Sequence, residues 1–332
     1  MKKVLVIRFS SFGDIVQAST VNQALKTRYP DVQITWLTKS AFAPLLNSDP
    51  NVGKVKKLEE FKGVYSIHKW IEKQDFDLVY DAHNSMRSNL IHLISLVRRL
   101  SSLWIKRPKS RWKRFLLFKF RINLFPKPFV GQASYLAPLL SYVPKIKPNH
   151  SSWEFDKNIA DKVASLVDGN KYFVFAPSAA WEMKRWPVQH WKRLIDLFLE
   201  NFPSETIVLV GGPNDQFIEE LNYHDNIINL SGKLSLLESS YLVTRAELTI
   251  SADTGIIHVA DAHQKKGILL NGPTAFGKTF SPTIQILEAG LYCQPCSKDG
   301  RGKCERQIYQ KCMVDILPDQ VLEVTKGMIS RA

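Results

Sequence analysis

The sequence predicts two doubly wound α/β domains in tandem, and three observations carry that expectation. Short, continuously apolar runs such as "KKVLVIRF", "QITWLTK", "FDLVYDAH", "KYFVFAPS" and "KGILLNG" suit strands buried on both faces, as in parallel sheets. Stretches with apolar residues on one helical face lie between them. The alternation pauses near Pro144, Pro148 and "NHSS" and then restarts. Residues 1–165 and 166–332 are the two expected domains.

Taken in order, "KKVLVIRF" is the first strand. Its basic start and apolar run imitate a signal peptide, but the run is short and no small-residue cleavage site follows. "DIVQASTVNQALKTRYP" follows as a helix, with Ile15, Ala18, Val21, Ala24 and Leu25 on one face. "PVQHWKRLIDLFLENFP" is the first helix of the second half, with Pro187 suited to its first turn. Trp191, Leu194, Ile195, Phe198, Leu199 and Phe202 form its stripe. "ETIVLVGG", "NIINLSG", "AELTISAD", "KGILLNG" and "TIQILEA" complete the strands. Ligands are expected at the carboxyl ends of the strands, in a cleft between the domains.

Composition bounds the function. The 332 residues are 45% hydrophobic and 23% charged, as in a globular protein. No apolar run approaches transmembrane length, so a cytoplasmic location is expected. Net charge is +14, but residues 1–150 hold 26 Lys and Arg against 9 Asp and Glu, whereas residues 151–332 hold 19 against 22. The basic field therefore belongs to the first half, which is expected to meet something anionic.

Five segments carry polar groups at strand ends. In "RFSSFGDI", Ser10, Ser11 and Gly13 offer a tight turn and backbone donors. Asp14 suits either a helix N-cap or a base at the edge of strand one. "SADTGIIHVADAH" places Asp253, Thr254, Gly255 and His258 around a helix start, where free N–H groups favour an anion. "PSAAWEMKRWP" sets Ser178 and Lys184 on a loop, and a lysine there can neutralise phosphate. "VGGPNDQ" holds Asp215, either a cap or a contact to a ligand hydroxyl. "NGPTAFGKTF" fits the phosphate-cradling pattern G-x-x-x-x-G-K-[ST], ending at Lys278 and Thr279. That motif needs a helix at its Gly-Lys-Thr, and Pro282 with the strand-like "TIQILEA" argues against one. A loop with a phosphate role at Gly272, Pro273 and Thr274 is expected instead.

Two features stand apart. Residues 98–127 hold eleven Lys or Arg, no acid, and six interleaved Trp or Phe. Without a nucleic-acid motif nearby, this reads as a surface for an anionic membrane or a phosphorylated glycolipid. All four cysteines, Cys293, Cys296, Cys304 and Cys312, fall within twenty residues. A zinc site is one reading, though the second spacing departs from a paired ribbon, and the cluster is expected to be structural either way.

Together, "RFSSFGDIV", "DLVYDAHNSMRS", "APSAAWEMKRWP", "LVGGPNDQ", "LSGKLSLLESSYLVTRAELTISADTGIIHVADA" and "GPT" resemble the ADP-heptose:lipopolysaccharide heptosyltransferases, glycosyltransferase family 9, over nearly the whole chain. The resemblance implies a GT-B fold of two facing Rossmann-like domains. The first would bind a lipid-linked, phosphorylated glycolipid acceptor through Ser10, Ser11, Gly13 and Arg87. The second would bind the nucleotide-sugar donor. It implies Asp14 as the base of an inverting transfer, Lys184 on the donor phosphates, Asp253 on the sugar hydroxyls and Asp215 near the ribose. Thr254, Gly255 and His258 complete that loop. The family works without an essential metal or other cofactor, on the inner face of the cytoplasmic membrane. One departure is "SAAW", where Ala179 and Ala180 offer no hydroxyls to phosphate. The alternatives are a sugar-nucleotide epimerase of the same fold, or a nucleoside triphosphatase using Lys278.

Overall fold

The computed structural model describes residues 1–98, 100–125, 129–148, 150–151, 153–169 and 171–330. Arg99, Pro126 and Lys127 of the basic-aromatic stretch, and Asn149 and Ser152 of the expected linker, lie outside the described residues. The chain divides into two compact units. The first is Met1–Arg111 with Val130–Glu154, and the second is Trp112–Phe129 with Phe155–Ala332.

The first unit carries β1 (Lys3–Ile7), β2 (Gln33–Thr38), β3 (Lys54–Lys57), β4 (Leu78–Asp81) and β5 (Leu103–Lys106). They form one parallel sheet in the order β3-β2-β1-β4-β5. Alternation along β1 shows why the strands read as continuously apolar. Val4 and Val6 join one core with Ile34, Trp36, Leu78 and Tyr80, while Leu5 and Ile7 join another with Leu37 and Val79. Both faces are covered, so most positions along the strand are apolar. The helices are α1 (Phe12–Ala18), α2 (Thr20–Arg28), α3 (Ala43–Asn47), α4 (Val64–Gln74), α5 (Met86–Val97) and α6 (Arg111–Phe120), the last entering the second unit, with α7 (Gly131–Leu136) returning to the first.

The second unit holds α8 (Lys157–Leu166), β6 (Tyr172–Ala176), α9 (Val188–Asn201), β7 (Thr206–Leu209), β8 (Ile227–Asn229), α10 (Leu236–Arg245), β9 (Leu248–Ala252), α11 (Gly255–Ala262), β10 (Gly267–Leu270), β11 (Ile284–Leu287), α12 (Lys311–Val314) and α13 (Pro318–Ile329). Its parallel sheet runs β11-β10-β9-β6-β7-β8. In both sheets the strand order reverses beside the first strand, between β1 and β4 and between β6 and β9. Loops leaving the carboxyl ends of those strands diverge, and that opening is where a doubly wound sheet takes ligand.

Several local expectations are corrected. The helix read across residues 14–30 is two helices, α1 and α2. The Ser19 hydroxyl turns back to the Val16 carbonyl at 2.7 Å, the local competition that serine offers a helix. Pro187 is the N-cap of α9 rather than a residue of its first turn. α8 belongs to the second unit, packed on α10, and not to the end of the first domain. Trp112–Phe129 also joins the second unit, where Phe125 and Phe129 meet the Phe276 ring edge-on at 5.0 and 5.2 Å between centroids.

Candidate active site

In the first unit the polar groups gather where β1 gives way to α1. Ser11 is the N-cap of α1 and Asp14 is its third residue, so Asp14 is not itself the cap. Its Oδ2 accepts from the Ser11 amide at 3.3 Å and hydroxyl at 2.9 Å, closing a capping box. The same carboxylate is paired with Arg8 Nη2 at 2.6 Å, and its Oδ1 accepts from the Tyr135 hydroxyl at 2.8 Å. Arg8 in turn donates through Nη1 to the Ala82 carbonyl at 3.0 Å, just past β4. One arginine thus bridges the two strands at the switch point and presents its cation to Asp14. Behind Tyr135, the Arg107 guanidinium lies 3.8 Å from the ring centroid and donates to Ser134 Oγ at 2.7 Å.

The electrostatics follow from these partners. Burial pushes the Asp14 carboxyl upward, but Arg8, the Tyr135 hydrogen bond and Arg107 together hold it well below the usual carboxylate range. Burial also raises the Tyr135 phenol, which therefore remains a donor. His83 is pushed down to about 4 by burial and by Arg8 and Lys109, so its imidazole is neutral near pH 7. The Asp14 side chain is still 37% exposed. The result is an ionised carboxylate, fixed on two sides and open on a third, where it can accept a hydrogen bond from an external hydroxyl. Ser10 and Gly13 share its turn. Arg87 lies after the carboxyl end of β4, as the second residue of α5, with its side chain exposed. Arg8 was not singled out from the sequence, although a cation at the end of the first strand was a signal for it; Tyr135, on α7 and 121 residues from Asp14, had no sequence signal.

In the second unit Asp253 is the hub. It leaves β9 and accepts from Lys184 Nζ at 2.9 Å and from Thr274 Oγ1 at 2.8 Å, both on Oδ2. Its Oδ1 lies 3.2 Å from His258 Nε2. Thr254 is the N-cap of α11, its hydroxyl accepting from the Ile256 amide at 3.3 Å, and Gly255 is the first helical residue. The segments after β6, β9 and β10 thus bring Lys184, Asp253, His258 and Thr274 together. Burial would raise the Asp253 carboxyl, yet the Lys184 cation and the His258 contacts hold it well below the ordinary range.

Ser178 and Asp215 form a neighbouring group. The Ser178 hydroxyl donates to Asp215, which also accepts from the Gly212 amide at 2.7 Å and pairs with Arg185 Nη2 at 3.2 Å. A Cβ at Gly211 would come within 2.3 Å of Ile218 Cδ1, so a larger residue in this turn would make that side chain shift. A Cβ at Gly272 would meet Met313 Sδ at 2.2 Å, so a substitution there would displace the Met313 side chain. The Pro273 carbonyl accepts from the Cys296 and Ser297 amides, both at 3.0 Å. The loop carrying Thr274 is therefore fastened to the cysteine segment. Gly272 and Thr274 also border a pocket of about 560 Å³, whose other walls include Phe125, Phe129 and Phe276.

No helix begins at Gly277, Lys278 and Thr279, and Lys278 Nζ is paired with Glu288 Oε1 at 2.8 Å. The triphosphatase reading loses its structural requirement there. All four cysteines are free thiols. Burial pushes Cys312 up to about 12 and raises Cys296, so both stay protonated near neutral pH. Among the described residues, no group of three or more His, Cys, Asp or Glu is arranged to hold a metal ion.

Comparison with known proteins bears on this arrangement. The sequence profile of glycosyltransferase family 9 (heptosyltransferase) matches residues 64–305. Lipooligosaccharide heptosyltransferase 2 of Haemophilus ducreyi is 27% identical over 362 aligned positions, covering 99% of each chain. The structure of Escherichia coli ADP-heptose lps heptosyltransferase II superposes with a TM-score of 0.76 at 20% identity, covering 100% of this chain and 99% of the other. A glycosyltransferase family 9 protein from Veillonella parvula gives 0.79 at 16% identity, covering 100% and 98%. These superpositions carry the fold, a GT-B architecture of two parallel α/β sheets. The profile match over most of the chain carries the family: the protein belongs to glycosyltransferase family 9, the heptosyltransferases.

Proposed function

We propose that this enzyme moves a heptose from ADP-heptose onto a phosphorylated glycolipid of the lipopolysaccharide core, with inversion at the anomeric carbon and Asp14 as general base. The observation that carries the reading is the Asp14 carboxylate, ionised and held between Arg8 and Tyr135 with its remaining face open. The acceptor hydroxyl gives its proton to Asp14 as its oxygen bonds to the anomeric carbon. The bond from that carbon to the phosphate oxygen breaks, and ADP departs with the electron pair. The transition state has oxocarbenium character, as in glycoside hydrolysis.

Ser10, Ser11, Gly13 and Arg87 serve the acceptor. Lys184 and the free N–H groups at the start of α11 serve the leaving diphosphate, with Ser178 beside them. Asp253 and His258 take sugar hydroxyls, Asp215 the ribose, and Gly272, Pro273 and Thr274 close one wall. The enzyme works peripherally at the inner face of the cytoplasmic membrane, to which residues 98–127 present cations and aromatics.

Calorimetry with ADP-, UDP- and GDP-heptose tests the donor. The ADP form is expected to bind at least about tenfold more tightly, the difference that a base-specific pocket supplies; equal affinities would sink this choice. A second test concerns Arg8. Its cation is the largest influence holding the Asp14 carboxyl down against burial. In Arg8→Gln, the acid limb of kcat/KM is expected to move upward by about 1–3 pH units. An unchanged acid limb would remove Asp14 from the rate profile.

A further inference from the structure

α5 is inside out. Its packed face holds Ser88, Ile91 and Ser95, all buried. Ser95 Oγ donates to the Ile91 carbonyl at 3.0 Å and lies 3.2 Å from His68 Nδ1. The opposite face carries Met86, Leu90, Leu93 and Val97, at the 4-3-4 spacing that keeps side chains in one line. They are 89%, 44%, 55% and 75% exposed, and neighbouring Leu96 is 60% exposed. An ordinary surface helix turns such a stripe toward the core. Scattered exposed leucines need no explanation, but a continuous apolar line along a whole helix marks a binding surface.

The surroundings identify the occupant. On one flank, Arg98 Nη2 donates to the Tyr65 hydroxyl at 3.5 Å, and Lys69 Nζ lies 5.2 Å from the Tyr65 ring centroid. On the other, Lys106 Nζ donates to Asn89 Oδ1 at 2.8 Å. From residue 82 to residue 153 the sequence has no Asp or Glu, and it has fourteen Lys or Arg. A second copy of this chain would bring like charges face to face, which opposes association. An anionic bilayer complements both features, since acyl chains cover the apolar line and headgroups meet the cations. Among the described residues, no helix is long and apolar enough to cross a membrane, so the mode is interfacial.

We infer that α5 is an interfacial helix that lays its outward face, Leu90, Leu93 and Val97 with Met86, into an anionic lipid surface. This is separate from the role given to residues 98–127, and it does not depend on the identity of the donor or acceptor. The helix extends about 18 Å along the membrane plane at 1.5 Å per residue.

The test is sedimentation with vesicles of phosphatidylglycerol and phosphatidylethanolamine, against vesicles of phosphatidylcholine. The full chain is expected to pellet with the first and not the second. The variant Leu90→Ser/Leu93→Ser/Val97→Ser is expected to bind at least tenfold more weakly while its Tm stays within a few degrees, because the sites are exposed. Amide exchange across α5 should slow on the anionic vesicles in the wild type alone. Equal binding by the triple variant would overturn the inference. So would a loss of binding confined to Trp112→Ser/Phe115→Ser, which would place the contact on α6. A lipid-free dimer that the triple variant breaks would also overturn it, in favour of a second copy.

Discussion

Asp14→Asn is expected to lower kcat by about 10²–10⁴-fold, the span that a positioned general base contributes. The substitution keeps one oxygen, which can serve Ser11 on the Oδ2 side, while its amide N–H on the Oδ1 side donates to the Tyr135 hydroxyl instead of accepting from it; the charge and basicity are lost. Binding of ADP-heptose, followed by calorimetry, should stay within a factor of three, because the residues proposed for the donor lie in the second unit. Arg8 loses its partner, but Asp14 is more than a third exposed, so solvent screening limits the stability loss to about 1 kcal/mol. A preserved melting temperature with a collapsed kcat is therefore the signature of a base. If kcat falls less than threefold, another group takes the proton and the mechanism given above is wrong. A large fall in both kcat and Tm would instead make Asp14 a structural anchor for the β1–α1 turn.

Residue pattern and structure agree where one rule suffices. A strand covered on both faces is mostly apolar, so β1, β4, β6, β9 and β10 were legible from short stretches. Strand ends were legible too, because Asp253 directly follows one such run and Asp14 and Lys184 sit in the turns and loops that leave two others. The sequence did not reveal what depends on partners distant in the chain. Tyr135 reaches Asp14 from α7, and nothing near "QASYLAP" announces it. The side taken by Trp112–Phe129 is set by aromatic contacts to Phe276, some 150 residues away. The outward face of α5 was hidden for a different reason. Its apolar line has helical spacing, and by the ordinary rule that stripe faces the core, whereas here the buried positions are Ser88, Ile91 and Ser95.

The Lys184–Asp253 pair yields the second large effect. Both side chains are mostly buried, at 13% and 14% exposed. Removing one charge strands the other away from water, so Asp253→Ala and Lys184→Ala should each lose about 3–5 kcal/mol of stability. The double variant Lys184→Met/Asp253→Asn strands no charge and should recover most of that loss. Transfer should not recover with it. Lys184 is the cation proposed for the donor phosphates, and losing such a group lowers kcat/KM by about 10²–10³-fold. The cycle thus separates folding from chemistry, as thermal unfolding returns toward wild type while turnover stays low. The pH dependence has a defined sign. The Asp253 carboxyl is depressed in the folded state, so the stability it contributes is present above its unfolded value, near 4, and is lost as pH falls through its folded value. Wild-type Tm should accordingly show no Asp253-linked decline between pH 8 and about 5, whereas acidification below about 4 should erode it. If the double variant regains transfer along with stability, the pair is structural and the donor phosphates are held elsewhere.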